Sequence, residues 1–132
     1  MIRNDEAILH YRLDLKSFKL FLKSNKDLKV ACTDSLLQGV IDAQSNHIIF
    51  RGNTWSGYAV SSINWIENFH IRDRKRVIDC ISRLNYDPHI LKDTLYCLGK
   101  KYYRVSWAIR KESHTNNLLV IGKLNSDIPI SI

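Results

Sequence analysis

The residues best able to do chemistry in this chain are its cations and its histidines. Residues 70–79 read HIRDRKRVID, and positions 72–76 are all ionisable, four of them basic. Such a run neutralises phosphates or meets an acidic protein surface. Of the five histidines, His10, His47, His70, His89 and His114, two suggest a reaction. A metal-independent nuclease needs an acid, a base and a phosphate-binding cation. His70 beside the basic run and His114 further on would supply that set, although no spacing ties them together. The chain has no GxGxxG, GxxxxGK[ST], HExxH or GxSxG motif. Its acids lack the paired spacing of a two-metal nuclease, and its cysteines and histidines are too scattered for a zinc site. The pattern favours binding over catalysis, with no cofactor and no metal.

Cys32, Cys80 and Cys97 form no CxxC pair, and an odd count argues against a disulfide framework. The start, MIRNDEAILHYRLDLK, carries acids early and resembles no secretory leader. No run of about 18 uninterrupted apolar residues is present. These features lead to the expectation of a reduced, cytoplasmic protein without a membrane partner.

The net charge is +7 and the pI about 9.5. It is not evenly spread. Residues 70–111 hold 11 Lys and Arg against 4 acids, a local +7, and the remainder holds nine of each. The excess is therefore one contiguous electrostatic footprint.

The elements that would position these charges follow from periodicity. Residues 7–14, AILHYRLD, alternate as a strand, with Asp14 as the cap of a helix over 15–25. That helix puts Leu15, Phe18, Phe21 and Leu22 on an apolar arc, with Lys16, Lys19 and Lys23 in a stripe beside it. Residues 28–53 read as short strands, with AQSN (43–46) as a hairpin turn. GNTWSGY (52–58) reads as a loop whose tryptophan folds back over the core. Residues 58–71 alternate as a long strand, the reading favoured here, and equally fit a short helix started by Ser61 or Ser62.

RDRKRVIDCISRLN (72–85) reads as a helix in which Val77, Cys80, Ile81 and Leu84 share an apolar face with Ile78. A second helix is expected over 87–98: Asp87 suits the cap, Pro88 the first turn and Gly99 a left-handed stop. Residues 102–112 alternate clearly. SHTNN (113–117) turns the chain and LLVIGKL (118–124) returns it, giving a hairpin. Ile128, Ile130 and Ile132 could add an edge strand. The expectation is one basic α+β domain over residues 1–132, an antiparallel sheet packed on two to three helices and ending in a C-terminal β-hairpin.

This layout suggests three functions. The first is binding DNA or RNA without catalysis, through Arg72, Lys75, Arg76, Arg83, Lys92, Tyr96, Lys100, Lys101, Tyr102, Arg104 and Arg110. Two helices followed by a hairpin resemble the winged-helix layout in element order, which implies base contacts from His89, Lys92, Asp93 and Tyr96. A variant uses Tyr102, Arg104 and Arg110 as an open sheet face for stacking single-stranded bases, although no RNP signature of the RRM family is present. The second function is a protein-interaction module, such as an inhibitor, immunity or adaptor protein, docking on an acidic partner. The third is the small nuclease described above.

Overall fold

A computed structural model describes residues 4–24, 36–59, 61–112 and 114–130. Its elements are α1 (Asn4–Ser24), β1 (Leu37–Ile41), β2 (Ile48–Arg51), the one-turn helix α2 (Asn53–Ser56), a 3-10 turn (Ile66–Asn68), α3 (Ile71–Ser82), β3 (His89–Leu98), β4 (Lys101–Lys111) and β5 (Leu118–Leu124). The strands form one antiparallel sheet in the order β2-β1-β5-β4-β3. α1 covers one face, and α2, the 3-10 turn and α3 cover the other. The fold is α+β, as the sequence predicts.

α1 corrects the first expectation. Residues 7–14 are helix, and Asp14 lies in the middle of it instead of at a cap. Tyr11, Leu15, Phe18 and Leu22 recur at i, i+4, i+7 and i+11, and the last three are buried against Val40, Ala108, Leu119 and Ile121. A helical stripe running through four turns outweighs alternation over eight residues. Asp5 and Glu6 in the first turn suit the positive end of the helix dipole. Phe21, expected inward, is exposed.

The larger correction is the helix expected over 87–98: His89–Leu98 form strand β3 instead. Leu91 pairs with Trp107, and the next pair is Thr94 with Val105. Three steps on β3 thus match two on β4, so one extra residue bulges out. Asp93 carries the strain with φ 53°. The bulge turns the inward positions into 91, 94, 96 and 98, whose first interval imitates a helix. Gly99 does take a left-handed φ of 66°. It does so as the first residue of the two-residue turn between Leu98 and Lys101, where a tight hairpin demands glycine. With no second helix, the helix-turn-helix arrangement is overturned.

Among the described residues of 58–71 the favoured long strand does not form either, and the helical piece there is the 3-10 turn at Ile66–Asn68. Asn68 Nδ2 donates to the Ser62 carbonyl at 2.9 Å, Asn68 Oδ1 accepts from the Ser62 amide at 2.9 Å, and Asn64 Oδ1 accepts from the Ile66 amide at 2.9 Å. Side-chain amides here take the backbone groups that a ladder would have used. This lets Trp65 and Phe69 drop into the core together, rings 4.9 Å apart.

The β1–β2 turn, α3 and the β4–β5 hairpin fall where periodicity predicts. Trp55 folds back over the sheet as expected, 3% exposed. Gly39 makes room for it: a Cβ there would lie 2.5 Å from the Trp55 ring. Trp107 centres this core, its ring 4.9 Å from Tyr96, 5.3 Å from Trp65 and 5.7 Å from Trp55. In the tail, Ile130 bridges Tyr102. Residues 28–35, Ile132 and the Lys23 side chain lie outside the described residues.

Candidate nucleic-acid interface

α3 lies along the outer edge of β3 and runs antiparallel to it. His70 begins the helix, its Nδ1 accepting from the Arg72 amide at 3.1 Å. One turn on, Asp73 is 4% exposed. Its carboxylate accepts from the Leu95 amide at 2.8 Å, from Arg76 at 3.1 Å and from Arg72 at 3.3 Å. Burial works against its ionisation. The Leu95 amide and the two guanidinium groups outweigh that and hold the carboxyl below its ordinary value of 3.8.

The β3 bulge frees the carbonyls of Lys92 and Asp93, and Arg76 takes both, at 2.8 and 3.3 Å. Arg74 binds the carbonyls of Phe69 and Glu67, each at 3.1 Å. Arg76 therefore fastens the helix to the sheet, and Arg74 fastens it to the 3-10 turn. The side chains of Lys75 and Arg83 make no hydrogen bond or ion pair among the described residues.

Between α3 and β3 runs an open groove of about 600 Å³. Arg72, Lys75, Arg76 and Arg83 line its helix side and His89 its strand side, with Asp79 the lone carboxylate of the lining. At 3.6 residues per turn the four cations fall within an arc of about 100°. Cys80, Ile90 and Leu91 give the groove an apolar lining. Burial pushes the Cys80 thiol above its ordinary value, with Arg83 opposing. Lys92 stands exposed beside the Arg76 anchor.

The other candidates part company. Tyr96 is 0% exposed, its hydroxyl accepting from Asn68 at 3.2 Å, so it is core and touches no ligand. Lys100 and Lys101 sit at the β3–β4 turn, outside the lining and past the Arg72 end of the groove: Lys101 pairs with Leu98, three residues beyond Leu95, whose amide Asp73 holds. Tyr102 packs on the His70 ring at 5.4 Å, and Arg104 pairs with Asp93 at 3.7 Å. Arg110 lies on the α1 face, its guanidinium 5.0 Å from the Phe18 ring centre. Tyr102, Arg104 and Arg110 therefore form no open stacking face.

The histidine dyad also dissolves. His70 packs at the start of β4, and His114 follows its far end, about 30 Å away. His114 instead neighbours Asp14 and Glu112, with His10 nearby. Among the described residues no group of three His, Cys, Asp or Glu is placed to hold a metal ion, and no helix is long and apolar enough to cross a membrane.

The sequence reading overlooked Arg12. Placed on a strand, it was separated from Lys16 and Lys19; on α1 the three stand at i, i+4 and i+7. Comparison with known proteins adds no kinship: no protein-family model matches the chain, and a search of curated proteins finds no match.

Proposed function

We propose that the protein binds the backbone of a nucleic acid, DNA or RNA, along the α3–β3 groove, without catalysis. The observation that carries this reading is the convergence of Arg72, Lys75, Arg76 and Arg83 on one groove, against Asp79 in the lining and the buried Asp73 beneath it. Lys75 and Arg83 are eight residues apart, about 12 Å along the helix, roughly three to four phosphate steps of one strand of a duplex. Arg72 and Arg76 add positive field while remaining tied to Asp73. Contacts of this kind are to phosphates, so they give affinity and register with little sequence preference. Retention of a mixed pool of labelled DNA and RNA at low salt tests this, with Lys75→Glu combined with Arg83→Glu as the control. Loss of retention in the double variant supports the reading, and unchanged retention refutes it.

A second reading has one observation of its own. Ile71 is 74% exposed, Ile78, expected on the apolar face, is 51% exposed, and both border the cationic arc beside Lys75. Apolar side chains flanking cations suit an acidic protein partner better than a phosphate chain. Under this reading, Ile71→Ser with Ile78→Ser weakens capture of the partner and leaves nucleic-acid retention untouched.

A further inference from the structure

The two thirds of the chain outside residues 70–111, neutral by count, are not neutral in space. A second groove, of about 300 Å³, lies between α1 and the β1–β2 edge of the sheet. Arg12, Lys16 and Lys19 line its helix side, opposite Gln38, Phe50 and Gly52, and no carboxylate lines it. The three cations fall within an arc of about 60° and span about 10 Å of helix. Arg12 lies over the Phe50 ring, 5.9 Å from its centre. None of the three makes an ion pair among the described residues. α1 keeps its other acids away: Glu6 and Asp14 point to other sides of the helix, and Asp5 stands two turns back. Folding has thus sorted the charge into an acid-free cationic groove.

This groove and the α3–β3 groove occupy opposite faces and opposite edges of the sheet. Four inter-strand steps of about 4.8 Å separate the edges, roughly 19 Å. One stretch of phosphates cannot fill both.

We propose that the Arg12–Lys16–Lys19 groove is a second phosphate-binding site, so that one molecule holds two segments of nucleic acid, one on each edge of the sheet. This rests on the nucleic-acid reading of the α3–β3 groove. The ligand chemistry is a run of backbone phosphates, with Gln38 and Phe50 beside the sugar and base.

A bridging assay tests it. One oligonucleotide is fixed to beads, the protein is added, and capture of a second, fluorescent oligonucleotide is read. Three proteins are compared, each first checked by thermal melting: the wild type, Lys16→Glu with Lys19→Glu, and Lys75→Glu with Arg83→Glu. The wild type is expected to capture the second oligonucleotide. The α1 variant should bind the first strand within about twofold of wild type while its capture of the second falls roughly tenfold or more. Wild-type protein that binds one strand and never the second overturns the proposal. So does an α1 variant that bridges as well as wild type, as it would if two protein copies made the bridge. Failure of the underlying reading looks different: the α3 variant then binds the first strand as wild type does.

Discussion

α1 and α3 both lay an amphipathic helix on the same sheet, and they are held there by different forces. α1 is held by apolar side chains, Leu15, Phe18 and Leu22, with Arg110 stacked on Phe18. α3 adds polar bolts: Asp73 to the Leu95 amide, Arg76 to the bulge carbonyls, Arg74 to the 3-10 turn. The difference teaches that a basic run is not a count of ligand contacts. On α3 the arginines divide their work between fastening and field, whereas on α1 Arg12, Lys16 and Lys19 make no ion pair among the described residues and only Arg12 touches the sheet, over the Phe50 ring.

The comparison can be broken most forcefully at the cores. Trp107→Ala removes the ring that Trp55, Trp65 and Tyr96 pack on, and should cost about 3–5 kcal/mol in chemical denaturation. Phe18→Ala on the α1 side should cost about 3 kcal/mol and leave binding by the surviving folded fraction unchanged.

The next largest effect is expected at the polar bolts. Asp73→Ala strands a buried amide and two guanidinium groups and should cost about 1.5–3 kcal/mol. This contribution depends on pH. The folded value of Asp73 lies below its ordinary 3.8, so the stabilisation is present above that pH and lost as pH falls through the folded value. Asp14 on α1 behaves oppositely. Burial, and then the charge of Glu112, raise its folded value above 3.8, so its ionised form costs stability at neutral pH and protonation relieves that cost. Asp73→Asn should therefore flatten the acid limb of the stability profile, and Asp14→Asn should raise stability at neutral pH. Equal acid limbs for Asp73→Asn and wild type would remove Asp73 as the cause.

Gly99→Ala should cost about 1 kcal/mol, because the side chain meets open space and only the left-handed φ resists it. The smallest stability effect is expected for Lys75→Gln with Arg83→Gln, within about 0.5 kcal/mol in the same denaturation curves. That pair sharpens the contrast: it should change binding alone, whereas Arg76→Gln should lower both binding and stability.

These divisions mark how far the sequence could be read. α3 and the β4–β5 hairpin were legible because each keeps one period from end to end. β3 was not, because a single bulged residue converts its alternation into a helical interval, and Asp87, Pro88 and Gly99 then fit helix-end chemistry equally well. The first turns of α1 were masked by a short accidental alternation of Leu9, Tyr11 and Leu13. For the site, the concentration of charge in residues 70–111 was visible. Its partition was not. The partners of Arg76 are carbonyls freed by the bulge, and Arg110 is assigned to the opposite face by strand parity combined with the position of α1. Tyr96 looked like a surface residue only on the helix that does not form.

The central claim is that Lys75 and Arg83 meet phosphates along the α3–β3 groove. Its most direct test is the salt dependence of binding to one oligonucleotide, for wild type and for Lys75→Gln with Arg83→Gln. The account predicts a log–log slope of several ions for the wild type, shallower by about two in the double variant. Equal slopes in the two proteins, or no binding by the wild type even at low salt, would contradict it.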